Sequence, residues 1–207
     1  MTKKDKNTRI LEAAFALFSE KGYNNTKIVD IATRAGIGKG TVYEYYDSKE
    51  DLFIIAIVER VKTEFARMAE SVREYDTATE RLKAFLTFEA GLLEKYGSDT
   101  SEFRAQLGES NVQVSARMKE AVSDIFILEY IVMSGIIRKG IESGEFRDVN
   151  VTLAAGLASS AISTYCMFKY NLLPLCDCTN KVIPFDEVED CKLDDIFDMV
   201  LKGISKQ

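Results

Sequence analysis

The sequence predicts an all-α fold. Apolar residues recur mostly at helical spacing along the chain, and the only two prolines, Pro174 and Pro184, fall late in its 207 residues. Leu11, Ala14, Phe15 and Phe18 form one stripe at i, i+3, i+4, i+7, and Gly22 after Lys21 supplies a stop, so a first helix is expected from about Lys6 to Lys21. Thr26 is the expected N-cap of a short second helix, whose face is Ile28, Ile31, Ala32 and Ala35 and whose end is Gly36. A third helix is expected from near Gly38 to about Tyr46. A fourth begins where Ser48 caps and Asp51 reaches back to it, and continues to about Glu74. Beyond it, helices are expected near 77–96, 100–109, 112–144, 149–172 and 192–204, about nine in all, with residues 173–191 as the one long irregular stretch. Two domains follow: a three-helix N-terminal module over 1–47, and a larger helical domain over 48–207.

Composition excludes several classes. The chain is 46% hydrophobic and 29% charged, enough apolar material for a sizeable core. Its start, Met-Thr-Lys-Lys-Asp-Lys, has no apolar run behind the positive charge, and nowhere do about 18 uncharged apolar residues follow one another. A cytoplasmic protein without a membrane anchor is the expectation. There is no histidine, which removes the commonest general base and the commonest metal ligand and argues against a hydrolase or metalloenzyme. No cofactor is expected.

The net charge of −6 is unevenly placed. Residues 1–52 carry nine Lys or Arg against eight Asp or Glu, whereas residues 53–207 carry eighteen against twenty-five. The acidity belongs to the C-terminal part and leaves the N-terminal part open to an anionic partner.

The stretch AGIGKGTVYEYY, residues 35–46, contains three closely spaced glycines and a lysine. A nucleotide-binding loop needs G-x-x-x-x-G-K-[ST] after a strand. Here Thr33 stands at the first glycine position, Gly40 follows Lys39 where Ser or Thr is required, and the preceding residues read as helix. A helix-turn-helix accounts for more of the same residues. Gly36 makes a tight turn, Ile37 plugs the core, and Val42 and Tyr46 at i, i+4 pack inward. Lys39, Gly40, Tyr43 and Glu44 then face outward. Gly40 lets a DNA groove come close, while Lys39 and the first-turn N–H groups meet phosphates. Glu44 is either an acceptor for a cytosine amino group or a solvated charge. Lys3, Lys4, Lys6 and Arg9 read as an arm that reaches DNA or as an ordinary basic N-terminus.

Residues 26–52, TKIVDIATRAGIGKGTVYEYYDSKEDL, resemble the signature of the TetR/AcrR family of bacterial transcriptional regulators without a gap. The resemblance implies a homodimer that places two recognition helices on a palindromic double-stranded operator, and a C-terminal domain that takes up a small hydrophobic inducer. Repressor action is implied: ligand entry moves the fourth helix, changes the spacing of the recognition helices and releases the DNA. Carried over by position, Thr26 caps helix 2 against a phosphate, Lys39, Gly40, Thr41 and Tyr43 meet the groove, and Tyr45 and Lys49 hold the backbone. Gly38 stands where Ser is usual, which removes a hydroxyl, and Tyr46 stands where Phe is usual, which leaves a phenol to satisfy.

The C-terminal part holds no motif of comparable sharpness. Phe65, Phe85, Phe88, Met118, Phe126 and Met133 are among a generous aromatic and methionine supply, expected mostly in the core. Glu89, Glu129 and Arg104 are candidate polar anchors of a pocket, with nothing to choose among them. The small-residue run 148–161, with Leu193, Ile196, Phe197, Val200, Leu201 and Ile204, resembles the two helices such a subunit gives to a dimeric four-helix bundle. Cys166, Cys176, Cys178 and Cys191 allow a structural metal, a thiol sensor or inert reduced thiols; the Cys-x-Cys spacing is tighter than zinc sites use, and no metal is expected.

Overall fold

The computed structural model describes residues 2–99, 116–169 and 192–205 of the chain. Among these are eight α-helices: α1 (Lys3–Asn25), α2 (Ile28–Ala35), α3 (Lys39–Tyr43), α4 (Lys49–Ser71), α5 (Ala78–Asp99), α6 (Ala116–Ser143), α7 (Val151–Lys169) and α8 (Leu193–Ile204). A single 3₁₀ turn, Val72–Glu74, follows α4. The all-α reading holds, and the described residues contain no strand beyond one isolated bridge between Phe146 and Ser205. The helix expected at 100–109, Arg104, and Cys176, Cys178 and Cys191 lie outside the described residues.

The chain divides into two compact units. The first is Met1–Glu64 with Glu102–Phe126, and the second is Phe65–Ser101 with Ile127–Gln207.

In the first unit α1 begins earlier than its apolar stripe suggests. Thr2 is its N-cap: the Asp5 N–H donates to Thr2 Oγ1 at 3.1 Å and the Thr2 N–H donates to Asp5 Oδ2 at 2.9 Å. This reciprocal capping box consists of polar residues only, so hydrophobic periodicity is blind to it. The chain breaks helical geometry at Gly22 (φ 75°), the expected stop, and one further turn reaches Asn25. The buried face is Ile10, Ala13, Ala14, Leu17 and Phe18, while Leu11 and Phe15 pack at its edge. The predicted stripe is thus rotated by about one residue, because Phe15 carries the Arg60 guanidinium over its ring at 5.5 Å and stays at the core margin.

The α2 face is as predicted: Ile28, Ile31, Ala32 and Ala35 are all buried. Together with Val42, Tyr46, Leu52, Phe53 and Ala56 they complete one apolar cluster under α1. The exposed pairs Arg34–Glu20 at 2.7 Å and Lys21–Asp30 at 3.8 Å link α1 and α2 at the surface, where such pairs add little.

The second unit centres on Leu82, Phe85 and Leu86 of α5, Met133 and Ile137 of α6, Ala158 and Ile162 of α7, and Phe197 of α8. The N-terminus of α5 is capped across the fold: Glu145 accepts from the Ala78 N–H (2.9 Å) and the Thr79 N–H (3.1 Å). Burial opposes the charge on Glu145, but these backbone bonds and that of the Ser143 hydroxyl hold its carboxyl below the usual range.

Candidate nucleic-acid interface

The turn between α2 and α3 explains the first of the three glycines. Gly36 has φ 67° and ψ 39°, the left-handed region that strains any residue with a Cβ. Its N–H donates to Thr33 O at 3.1 Å and the Ile37 N–H to Ala32 O at 3.0 Å, the paired closure of a Schellman motif. Ile37, the residue after the turn, packs on the core cluster and fixes the exit direction. The chain is thereby turned steeply from α2 into α3.

Five residues of α3 are far too few to be helical alone. Burial holds them in place. Val42 and Tyr46 are each 1% exposed, at the inward i, i+4 positions predicted. The phenol of Tyr46 finds its partner on α1, donating to Asn7 Oδ1 at 2.7 Å. Asn7 is not legible as a site residue, because nothing local in the sequence pairs positions 7 and 46. The helix ends at Tyr43, earlier than expected, in a turn over Glu44 and Tyr45.

With that face anchored, the opposite face of α3 is turned to solvent. Lys39, Gly40 and Glu44 are exposed, Thr41 is half-buried, and Tyr43 is 48% exposed, a large aromatic outside the core. Lys39 Nζ lies 5.9 Å from the centre of the Tyr43 ring, so cation and aromatic form one surface element. Among the described residues, a Cβ built on Gly38 or on Gly40 meets nothing within 4 Å. The chain's own packing therefore does not require glycine at either position, and helix propensity disfavours it at Gly40 by about 0.5–1 kcal/mol. An external surface that must approach the backbone closely is the physical reason left for Gly40.

Thr26 corrects the expectation made for it. It is not the cap of α2; Lys27 is the N-cap, and it gives no side-chain bond. Thr26 is 1% exposed, and its hydroxyl hydrogen faces two carbonyls, Leu17 O at 3.0 Å and Gly22 O at 2.8 Å. It ties the kinked end of α1 to the start of α2 from inside. The exposed side chain at that helix start belongs to Lys27, which cap chemistry passes over in favour of the hydroxyl beside it.

Tyr45 and Lys49 are partly buried and engaged within the unit. The Tyr45 phenol donates to Lys3 O at 3.1 Å, and Lys3 Nζ lies 5.9 Å from the Tyr45 ring centre, which docks the start of α1 beside the α3 exit. Lys49 opens α4 with its Nζ 4.1 Å from the centre of the Tyr23 ring. Burial draws the Lys49 ammonium below its usual range, with the neighbouring Glu50 charge opposing. The Tyr23 phenol donates to Glu50 Oε1 at 2.6 Å, and burial, then that bond, pushes its ionisation well up. Ser48 caps α4 as predicted, its Oγ accepting from the Asp51 N–H at 3.0 Å. Asp51 reaches back one residue further than expected, to the Asp47 N–H at 3.3 Å.

The structure therefore brings Lys39, Gly40, Thr41 and Tyr43 together on one short helix, sets Tyr45 in the turn that follows it, leaves Lys27 exposed at the start of α2, places Lys49 at the start of α4, and withdraws Thr26 into the core. The arrangement offers a narrow, half-aromatic, cationic ridge held rigidly by a buried face. Such a ridge suits a groove lined with phosphates.

Comparison with known proteins agrees. Residues 10–55 match the family described as bacterial regulatory proteins, tetR family. The chain is 29% identical over 180 residues, 84% of its length and 91% of the relative's, to the fatty acid metabolism regulator protein of Bacillus subtilis strain 168. It is 26% identical over 153 residues, 73% of its length and 74% of the relative's, to the transcriptional repressor KstR2 of Rhodococcus jostii strain RHA1. Among solved structures, a transcriptional regulator from Cytophaga hutchinsonii superposes with a TM-score of 0.71 at 21% identity, covering 95% of this chain and 97% of that one. The FadR regulator of Bacillus subtilis in complex with stearoyl-CoA superposes with 0.62 at 22%, covering 95% and 98%. The Schellman turn into a five-residue outward-facing helix lies within this match, so residues 10–55 are the part of the chain that the tetR family of bacterial regulatory proteins shares.

Proposed function

We propose that the chain is a cytoplasmic, homodimeric repressor that acts by binding and not by catalysis. It holds a palindromic operator through α3 and releases it when a small hydrophobic ligand enters the second unit. The observation that carries the reading is the α3 ridge: Lys39, Gly40 and Tyr43 face outward although no packing among the described residues asks for a glycine or an exposed tyrosine there. Lys39, Gly40, Thr41 and Tyr43 are assigned to the groove, and Lys27, Tyr45 and Lys49 to flanking phosphates. Two such ridges in a dimer would meet half-sites about 34–36 Å apart. The relatives named as a repressor and as a fatty acid metabolism regulator support the repressor and small-molecule parts of the reading. A mobility shift on DNA selected from a random pool tests it, repeated with candidate ligands and across salt concentrations.

Gly40→Ala separates fold from function. The added methyl enters open space, so the substitution should raise unfolding free energy by about 0.5–1 kcal/mol in urea denaturation. The same methyl should weaken operator binding several-fold, since it holds the groove off the backbone.

Dimerisation is assigned to α7 and α8. Leu153 and Leu157 on α7 and Met199 on α8 are each 62% exposed and border an open groove of about 580 Å³, whose floor includes Ala154, Ala158 and Val200. Ile196, Phe197 and Ile204, also expected at the partner, are instead buried within the unit itself. An exposed apolar face of this kind marks a protein contact. The described residues contain no helix long and apolar enough to cross a membrane. Leu157→Glu should halve the mass measured by sedimentation while leaving the helical circular-dichroism signal intact, because a side chain this exposed contributes little packing within its own unit.

A further inference from the structure

Glu89 on α5 is 6% exposed, and its Oε2 has no hydrogen-bond partner. The Glu129 carboxyl on α6 lies close enough for its charge to oppose that of Glu89, and Glu129 accepts from the Ser159 hydroxyl on α7. Two carboxyls that feel each other's charge are not both readily ionised in an apolar interior unless a cation joins them; otherwise one keeps a proton. Among the described residues neither makes an ion pair. Among the described residues, the titratable groups that influence Glu89 or lie on α8 add no positive charge beside it. Cys166 on α7 is buried, its thiol pushed up to about 11 by burial and then by Glu89 and Glu94, and so stays neutral. On α8 the charged residues Lys192, Asp194, Asp195, Asp198 and Lys202 all lie at the surface. Burial, then the Glu129 charge, holds the Glu89 carboxyl well above its usual range, so the pair without a cation carries a proton.

We propose that the Glu89–Glu129 pair receives the cationic, N–H-bearing head of an amphiphilic amine, an alkylammonium in its simplest form. This rests on the ligand-released reading above and names the class of ligand. The unpartnered Oε2 accepts the ammonium N–H, and the neighbouring carboxyl supplies the balancing charge. Beside it the rings of Phe65, Phe85 and Phe88 pack together, Phe65 and Phe88 edge to face at 5.3 Å, an apolar setting for a hydrocarbon tail. A ligand with a carboxylate head is excluded from the same place by like charge. Entry of the ammonium ionises the pair, and the displaced proton leaves to solvent.

Titration calorimetry of the full chain with octylammonium, octanol and octanoate tests this, run at neutral pH in two buffers of different ionisation enthalpy. The expected result is octylammonium bound at least about tenfold tighter than octanol, octanoate weakest, and about one proton released per ammonium. Glu89→Gln, nearly isosteric, should lose the preference for ammonium while its operator affinity equals that of the unsubstituted protein. Equal affinity for ammonium and alcohol without proton release overturns the proposal, as does ammonium binding unchanged in Glu89→Gln. Failure of the wider reading looks different: ammonium bound with proton release by a protein that shifts no DNA overturns the repressor reading and leaves the amine site standing.

Discussion

Lys39→Ala lowers operator affinity by about 10- to 100-fold, the loss of about 1–3 kcal/mol expected for a groove contact, and leaves thermal stability within about 0.5 kcal/mol. The separation follows from where the side chain stands. Lys39 is exposed and lies against the face of Tyr43, so its removal opens no cavity and leaves no buried group unpaired. Tyr43→Ala behaves alike, because a ring that is 48% exposed contributes little core. If Lys39 contacts phosphate, the slope of log affinity against log salt falls by about one in the variant; if it contacts a base edge, selectivity relaxes at one position and the slope changes less. An affinity unchanged in both variants would remove α3 as the recognition element.

Tyr23→Ala destabilises the first unit by about 3–5 kcal/mol. The ring is 4% exposed, packs on Phe18 with centres 5.9 Å apart and meets Phe53 edge-on at 4.9 Å. Its outer face carries Lys49, and its hydroxyl holds Glu50. One residue thus joins the end of α1 to the start of α4. Tyr23→Phe isolates the polar part, at a cost of about 1–2 kcal/mol at neutral pH. The pH dependence has a definite sign. Burial opposes the Glu50 charge, but the bonds from Tyr23, from its own backbone and from Ser48, with the Lys49 charge, hold its carboxyl below 4.5. Glu50 therefore contributes stability that is present above 4.5 and lost as pH falls through its depressed value, so the difference between wild type and Tyr23→Phe should narrow in acid. Urea denaturation at about pH 7 and about pH 4 measures it, and a gap that widens in acid would contradict the assignment.

Much of the first unit is legible in the sequence because its cues are local. The α2 face is one apolar stripe, Gly36 is a left-handed turn residue at a helix end, and Val42 and Tyr46 stand one turn apart. The outward Lys39, Gly40, Tyr43 and Glu44 follow once those are placed. What stays hidden depends on pairs distant in the chain. Tyr46 with Asn7, Tyr23 with Glu50, and Glu145 with the start of α5 are each made by the tertiary fold and leave no periodic mark. Thr26 misleads for a related reason: a threonine before a helix reads as a cap, and only the kink at Gly22 brings carbonyls close enough to take its hydroxyl inside. In the second unit the apolar supply predicts helices but not their faces. Phe197 turns inward, while Met199, two residues on, faces out.

Whether the α3 ridge reads operator DNA is decided by selecting binding sites from random double-stranded DNA with the purified protein, at low and at physiological salt. The expected result is a palindromic site with half-sites about one helical turn apart, enriched by the wild type at both salt concentrations and lost with Lys39→Ala. Flat enrichment at every salt concentration, or the same site selected by the Lys39→Ala protein, would contradict it.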